Sequence, residues 1–453
     1  MIEKIKSILL MLLVGLSLFM TYQLWYGQKP AQLIAEDVFE RVIAEQPRPL
    51  EEVLTPEKIV VNAEEGYYIF RQGDPDFIIL WEAVSQVLQE GSSSFMVEDN
   101  MVEGDFNNLL TLYFNPVLPV GADLPWLSEA PDSTVRAIKI NSLEDKIWFE
   151  LFERDNVSGL SLLLLPEITE IIAGLIADRG SENLVNHALL TDDLILAVME
   201  KNLNLTEPIY VPMETVEMER LVLKPEEIDS DLILKTFFID YNLARIIEEK
   251  DGGLIYTDGD RGLRLSSTGF EYSAPRLEDG QANASYPDAM FNSSSVIGYH
   301  GGWPESLRLV SLYLTGRGRT GYYIAEWQAY HQGYPLFTRQ GTRAFFNDRG
   351  LIHFSRNAFT SSNLPLENGE EVHAAVWSEA LREAVNLYHT NESQLGNEIQ
   401  VADLNIEAVD LGYAVVGSDA SYKGEPVWFI QINGEKFFLK ADNLEPLSEE
   451  ELI

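Results

Sequence analysis

The six histidines are the residues of this sequence best suited to metal binding or proton transfer. Helical metal sites place two histidines four residues apart or use the pattern H-E-x-x-H, because these spacings put the ligands on one helix face. Neither arrangement occurs among them; they are His187, His300, His331, His353, His373 and His389. The chain also contains no cysteine, which excludes disulfides, thiolate metal sites and cysteine nucleophiles. We therefore predict no metal site and no cofactor.

A glycine-rich stretch at 316–321, GRGRTG, matches the pattern G-x-G-x-x-G. A dinucleotide site needs this loop to follow a strand and to open a helix. The sequence predicts the reverse order, with a helix at 304–314 and a strand after the loop. We interpret the stretch as a flexible connection.

Acidic residues are abundant, but their spacing does not indicate catalysis. Asp251, Asp258 and Asp260 lie among glycines and lack the remaining ligands of a calcium loop, so turn formation explains them better. Among 72 carboxylates, pairs with glycosidase-like separation must occur, and spacing cannot select one. We predict no catalytic residue and no enzymatic activity.

The N-terminal stretch 8–26 contains no charged residue and would reach about 28 Å as a helix, close to the thickness of a bilayer core. Lys4 and Lys6 precede it, and Trp25 and Tyr26 lie at its far end, as in membrane-spanning helices. A cleaved signal peptide is the alternative, but no small-x-small cleavage site follows. We predict a single-pass anchor in the cell membrane (1–28), with the N-terminus cytoplasmic and the rest of the chain extracellular.

Small and polar residues within this anchor are candidates for contact with a partner helix. Gly15 allows close approach of two backbones, and Ser17, Thr21 and Gln23 can form hydrogen bonds across an interface. Single-pass anchors also tolerate such residues without using them, so both interpretations stay open here.

Length and charge limit the remaining possibilities. A chain of 453 residues is too long for one core and indicates two or three domains. The formal net charge of −40 repels nucleic acid and anionic lipid headgroups. It otherwise indicates solubility and names no partner.

The patterns after the anchor predict an α+β protein. A helix should begin with Asp74 as N-cap and Pro75 in its first turn and end at Gly91. Strands are predicted at 134–140, 147–152 and 160–165, and a helix near 193–200. These elements form a predicted N-terminal α+β domain, residues 29–205.

Two short motifs recur in the second half of the sequence. Asp-Arg-Gly-Leu occurs at 260–263 and again at 348–351, a displacement of 88, and the residues from Gly321 to Phe337 are echoed from Gly412 to Trp428, a displacement of 91. A helical pattern lies between the echoes in each copy, at 304–314 and 374–388. We predict two copies of one α+β unit, a middle domain (206–340) and a C-terminal domain (341–453).

Three segments resemble the YycH family: LLVGLSLFMTYQLW (12–25), RPLEEVLTPEKIVV (48–61) and YTDGDRGLRLSSTGFEYSAP (256–275). The family comprises membrane-anchored regulators of WalK (YycG), the sensor histidine kinase of a Gram-positive two-component system for cell-wall metabolism. The resemblance implies a three-domain extracellular region and a companion protein, YycI. It also implies kinase modulation through contacts that include the transmembrane helix, and it supplies no catalytic residues.

The leading hypothesis is thus a non-enzymatic regulator that binds a sensor kinase together with a YycI-like companion. Two alternatives stay open: an extracellular ligand-binding sensor and a membrane-anchored cell-wall hydrolase. A deep apolar pocket between domains would favour the sensor, and an acidic cleft or turnover of peptidoglycan would favour the hydrolase.

Overall fold

The computed structural model describes most of the chain after position 42. The described residues are 43–48, 50–53, 55–63, 66–91, 97–98, 110–119, 134–141, 146–151, 158–160, 174, 185–199 and 203–453, the last range without 239, 251, 305, 318–319, 360–369, 395–403 and 419–420.

Helices and strands alternate irregularly along this part of the chain. Up to position 223 they are α1 (Leu50–Val53), β1 (Lys58–Ala63), β2 (Gly66–Arg71), α2 (Pro75–Gly91), β3 (Val97–Glu98), β4 (Leu110–Pro119), β5 (Thr134–Asn141), β6 (Lys146–Leu151), β7 (Ser158–Leu160), β8 (His187–Leu189), α3 (Asp192–Met199), β9 (Asn204–Leu205), β10 (Tyr210–Pro212), β11 (Glu217–Glu219) and β12 (Leu221–Leu223). They continue with α4 (Ser230–Phe237), β13 (Arg245–Glu248), β14 (Leu254–Thr257), β15 (Gly262–Ser266), β16 (Gly269–Ser273), α5 (Tyr286–Tyr299), β17 (Leu307–Arg317), β18 (Thr320–His331), β19 (Tyr334–Phe337), β20 (Thr342–Asn347), β21 (Gly350–Asn357), β22 (Glu371–His373), α6 (Trp377–Gln394), β23 (Asn405–Ser418), β24 (Ser421–Ile432), β25 (Glu435–Lys440) and β26 (Pro446–Leu447). The predicted α+β class is confirmed.

The first sheet contains nine strands in the order β10-β8-β2-β1-β4-β5-β6-β7-β3. Helix α2 buries Phe77, Leu80 and Val84 in the hydrophobic core. It begins as the sequence predicts, with Asp74 Oδ1 accepting a hydrogen bond from the backbone N–H of Asp76 (3.0 Å). The helix prediction at 75–91 and the strand predictions at 134–140 and 147–152 are confirmed.

The second sheet runs through the predicted middle and C-terminal domains without interruption. Its order is β13-β14-β15-β16-β21-β20-β18-β19-β23-β24-β25-β26, with β17 beside β18, β12 beside β24 and β9 beside β23. Strands β20 and β21 pair with β18 and β16, so residues 342–357 complete the middle part of the sheet. The predicted boundary at 340/341 therefore falls inside a continuous sheet. A short parallel pairing of β19 with β23 leads into the C-terminal part.

The predicted helix at 304–314 is wrong, because this segment forms strand β17. A register shift between Leu309 and Ser311 interrupts the alternation that normally identifies a strand. Leu309 and Leu312 are consequently both buried at a spacing of three, which imitates a helical pattern.

The glycine-rich stretch 316–321 follows a strand and not the predicted helix. It joins β17 to β18, so a strand precedes it as well as follows it. Gly316 has φ +121°, and a Cβ atom there would lie 2.5 Å from the carbonyl oxygen of Thr320. The glycine is needed for a tight hairpin, and no helix follows to receive a phosphate.

The predicted equivalence of Pro335 with Pro426 is wrong, whereas that of Gly262 with Gly350 agrees with the strand pairing. Gly262 and Gly350 each follow a hairpin turn and open its second strand, β15 after β14 and β21 after β20. Pro335 lies in β19, but Pro426 lies within β24.

The order of elements nevertheless recurs. A hairpin, a helix and a three-stranded meander occur as β15-β16-α5-β17-β18-β19 and again as β20-β21-α6-β23-β24-β25, with β22 added before α6. The last turns of both meanders share a left-handed geometry: Gln332 and Gly333 have φ values of 47° and 84°, and Asn433 and Gly434 have 48° and 81°. These turns are 101 positions apart (332 to 433), so the displacement differs from those of the sequence echoes. That the units are copies of one ancestor stays a prediction.

Candidate functional site

The residues proposed for partner contact, Gly15, Ser17, Thr21 and Gln23, lie outside the described residues. The same holds for the whole predicted anchor. Of the helices in the described part of the chain, none has both the length and the apolar character to cross a membrane.

Two of the histidines, His300 and His187, make contacts that hold the fold together. His300 ends α5, stacks on the ring of Phe237 at 4.0 Å, and places Nδ1 3.0 Å from the hydroxyl of Thr236. His187 is held in β8, where burial and the charge of Arg71 lower its pKa to about 4. Across the described residues, histidine and carboxylate side chains form no group that could hold a metal ion.

The acidic loop near 258 is a turn built by its own side chains. Asp258 Oδ1 accepts hydrogen bonds from the backbone N–H groups of Asp260 (2.9 Å) and Arg261 (2.8 Å). Burial acts to raise the pKa of Asp258, but these hydrogen bonds and the charge of Arg261 lower it overall. Asp260 forms an ion pair with Arg276 at 2.6 Å, and Asp251 lies outside the described residues.

The segment at the start of the described chain is docked on the end of helix α5. The backbone N–H of Ala44 donates to the carbonyl of Tyr299 (3.2 Å), and that of Glu45 donates to the carbonyl of Gly298 (2.9 Å). We call this contact the clasp, with residues 43–48 on one side and residues 298–303 on the other. It fixes the chain that follows the predicted anchor to the middle part of the protein.

Side chains strengthen the clasp around Trp303, which is buried. Glu45 Oε2 accepts a hydrogen bond from the backbone N–H of Trp303 at 2.8 Å. The guanidinium of Arg48 lies 5.3 Å from the centre of the Trp303 ring, a cation–π distance, and its Nη2 donates to the Trp303 carbonyl at 3.4 Å. The Ser294 hydroxyl donates to the Arg48 carbonyl at 2.9 Å.

Glycines allow the two sides of the clasp to meet. A Cβ atom on Gly298 would lie 3.2 Å from the carbonyl oxygens of Glu45 and Gln46, and one on Gly301 (φ +120°) would lie 2.2 Å from Arg356 Nη1. A side chain at Gly298 would push the facing backbone away, and the left-handed φ of Gly301 favours glycine there. The sequence pattern HGGW at 300–303 is the signal that could have indicated such an approach.

Arg356 connects the clasp to the second sheet. It lies on β21 with its side chain only 4 % exposed, donates from Nη1 to the carbonyl of Gly302 (2.8 Å) and pairs through Nη2 with Glu226 Oε2 (3.3 Å). Burial lowers the pKa of Arg356, although the carboxylates of Glu226 and Glu45 oppose this change. The two carboxylates thus compensate a buried charge, and one of them belongs to the clasp.

A cleft of about 720 Å³ separates the first sheet from strands of the second. Its lining combines aromatic side chains with charges of both signs, including Lys58, Trp327, Tyr330 and Glu407. Arg71 on β2 and Asp410 on β23 line it as well and form an ion pair (Nη1 to Oδ2, 2.5 Å) that joins the two sheets. Burial acts to lower the pKa of Arg71, but Asp410 outweighs this effect and the pKa is raised.

Comparison with known proteins found one matching family model and one similar solved structure, described below. Residues 3–116 match the family model described as YycH protein, N-terminal domain. A search of curated proteins found no match. Among solved structures, the crystal structure of YycH from Bacillus subtilis is similar, with a TM-score of 0.58 and 14 % sequence identity, covering 90 % of this chain and 99 % of that chain.

These matches first define the class: the chain has the α+β fold seen in YycH, since a likeness at this identity establishes the fold. The matched N-terminal segment includes the first half of the clasp, residues 43–48. The resemblance to the YycH family that the sequence indicated is confirmed.

Proposed function

We propose that this protein is a non-enzymatic regulator of a WalK (YycG)-like sensor histidine kinase that controls cell-wall metabolism. The observation that carries the proposal is the match of residues 3–116 to the YycH N-terminal domain. The likeness to Bacillus subtilis YycH over 90 % of the chain supports it, since the resemblance extends far beyond the matched domain. The family further implies a YycI-like companion in the same complex.

The proposal includes a membrane topology in which the N-terminus is cytoplasmic and residues 29–453 are extracellular. The charge-free stretch 8–26, preceded by Lys4 and Lys6, supports this arrangement. Protease added to intact, wall-stripped cells should then digest nearly the whole chain. Survival of the bulk of the chain, or a mature N-terminus near Gln28, would contradict this topology.

The clasp supports the proposal because it holds the chain that follows the predicted anchor against the outer part. Backbone hydrogen bonds from Ala44 and Glu45 tie the chain to the end of α5, and Arg356 ties the same site to β21. A change in the outer part would therefore displace residues 43–48, at the start of the described chain. A freely flexible linker at the same place would absorb that displacement.

Within the membrane, we propose that Gly15, Ser17, Thr21 and Gln23 contact a helix of the kinase. Measured interhelical hydrogen bonds average about 0.6 kcal/mol, so one contact would bias a kinase little. Several contacts along one face could change a two-state equilibrium several-fold, since about 1.4 kcal/mol corresponds to a factor of ten.

The test is to replace these four residues together by leucine, which preserves insertion but blocks close approach. Kinase-dependent transcription and co-purification of the kinase should both change while protein level stays constant. A matched control exchanges Leu9, Leu12 and Leu16 for isoleucine and should behave as the native chain. Unchanged regulation by the leucine variant would leave the helix with a tethering role only.

The cleft supports a second candidate function, an extracellular sensor that binds a small ligand between the two sheets. Its volume suits a compact ligand, and Arg71 together with Asp410 would offer both a donor and an acceptor. Soluble wall fragments should then raise the melting temperature of the native protein but not that of an Arg71→Met variant. Release of products from peptidoglycan by the purified chain would instead favour the hydrolase alternative.

A further inference from the structure

Strand β13 forms an exposed edge of the second sheet. Within the described residues it pairs only with β14, and all four of its residues are exposed. Ile246 is 62 % exposed, Ile247 is 52 % exposed, and Leu243 just before the strand is 77 % exposed. An apolar strand edge open to solvent is a template for pairing with another strand.

The hydrogen-bonding groups of this edge point away from β14 at two residues. Glu249 donates its N–H to the carbonyl of Gly253 (2.8 Å), and the pairing continues with Ile247 opposite Ile255. Inward and outward groups alternate along an antiparallel strand. The backbone groups of Ile246 and Glu248 are therefore directed outward, where a further strand would receive them.

A row of apolar side chains on the sheet becomes exposed to solvent at this edge. One row crosses the sheet from Phe354 through Tyr272, Leu263 and Tyr256 to Ile246. Phe354, Tyr272 and Leu263 are buried, Tyr256 is half-buried, and Ile246 is exposed. A strand added beyond β13 would extend this row and cover its last member.

We propose that β13 pairs in an antiparallel manner with β13 of a second copy of this chain. A twofold axis requires one residue to lie opposite itself. With Ile247 opposite Ile247, Arg245 faces Glu249 of the second copy on both sides of the axis, and the outward groups of Ile246 meet those of Glu248.

Charge selects both this register and this partner. The neighbouring register, with Ile246 opposite itself, places Arg245 against Ile247 and forms no ion pair. Arg245 makes no ion pair within the described part of its own chain, whereas Glu249 already pairs with Arg264 (2.5 Å) and would gain a second cation. Opposite charges facing each other across strands stabilise the pairing, so the segment is complementary to itself.

The absence of cysteine from the sequence allows a register-specific test in the full chain in native membranes. In the proposed pairing the two Ile247 Cα atoms lie about 4.5 Å apart, which permits a disulfide. An Ile247→Cys variant should form a covalent dimer under mild oxidation. Ile246→Cys and Leu243→Cys are matched controls at more exposed positions, and both lie out of register, beyond the roughly 7 Å limit for a disulfide.

A second variant tests the equilibrium without cross-linking. Ile247→Lys places two like charges opposite each other and should raise the dimer dissociation constant of the detergent-solubilised full chain at least tenfold, as measured by analytical ultracentrifugation. Leu243→Lys should change it less than twofold. Because both positions are exposed, the melting temperatures of both variants should match that of the native chain.

Three results would overturn the proposal. They are cross-linking of Ile247→Cys no stronger than that of the controls, a dissociation constant unaffected by Ile247→Lys, or a cross-linked product that contains a different protein. None of these bears on kinase regulation, so the two proposals fail independently.

Discussion

The clasp makes a sharp prediction for the Glu45→Gln substitution. The glutamine keeps the shape of the side chain and an oxygen that accepts from the Trp303 N–H, but it removes the negative charge. That charge contributes to the 2.8 Å hydrogen bond and helps to compensate the buried guanidinium of Arg356. The substitution should therefore weaken the clasp without emptying any space.

The magnitude follows from the type of hydrogen bond that is lost. A hydrogen bond to a charged group contributes about 1.5–3 kcal/mol and a neutral one about 0.5–1.5 kcal/mol. The difference of about 1–1.5 kcal/mol corresponds to a roughly tenfold increase in the open fraction of the clasp.

Amide hydrogen exchange measures this opening directly. The N–H groups of Ala44, Glu45 and Trp303 donate into the clasp, so their protection factors should fall about tenfold while those of α2 stay unchanged. Glu52→Gln is a matched control, because Glu52 is exposed on α1 and outside the clasp. Equal protection in the native and Glu45→Gln chains, or a loss spread over all helices, would refute the reasoning.

Three further predictions concern the rest of the molecule. His187 has a pKa of about 4 in the folded chain and an ordinary value of 6.5 in the unfolded chain, so the unfolded chain binds the proton first as pH falls. The free energy of unfolding should therefore drop by up to roughly 3 kcal/mol between pH 6.5 and 4. Denaturation measured at several pH values should show that His187→Gln removes this part of the drop. Asp410→Asn should cost about 2 kcal/mol because it leaves Arg71 poorly compensated, while Arg71→Met with Asp410→Leu should cost less than the sum of the two single losses in a denaturation cycle. Gly269→Ala should lower the melting temperature, since its Cβ atom would lie 2.1 Å from the carbonyl oxygen of Arg356 at φ +152°; an unchanged melting temperature would show that β16 can move aside.

Elements with strong local signals were predictable from the sequence. Helix α2 has a polar N-cap at Asp74, a proline in its first turn and an apolar face, and these local features determine where it begins. Helix α5 lacks such an apolar face, because small residues such as Ala289, Ser293 and Ser294 occupy much of its buried side. Its only clear signal was Ser285 before Pro287 and Asp288, where the serine hydroxyl accepts from the Asp288 N–H (3.3 Å).

The candidate site was not predictable in the same way. The clasp depends on the meeting of Glu45 with Trp303, which are 258 positions apart. The ion pair in the cleft joins Arg71 to Asp410 across 339 positions. The hydrophobic periodicity of a sequence cannot indicate such contacts, because they form only when distant parts of the chain have come together in the fold. The sequence instead indicated the membrane anchor and the family, which depend on contiguous residues.

The wide sequence separation of strand partners also determines the order in which the chain can fold during synthesis. Strand β12 pairs with β24, and β9 pairs with β23, each about 200 positions later in the chain. Leu221 and Leu223 are buried in the finished protein, yet their partner strand is made long after them. Among the described strands, β9 has no partner until synthesis passes residue 418 and β12 has none until it passes residue 432, so both present unpaired backbone edges to other chains. A nascent or truncated chain that ends before β24 should therefore depend on a chaperone to stay soluble.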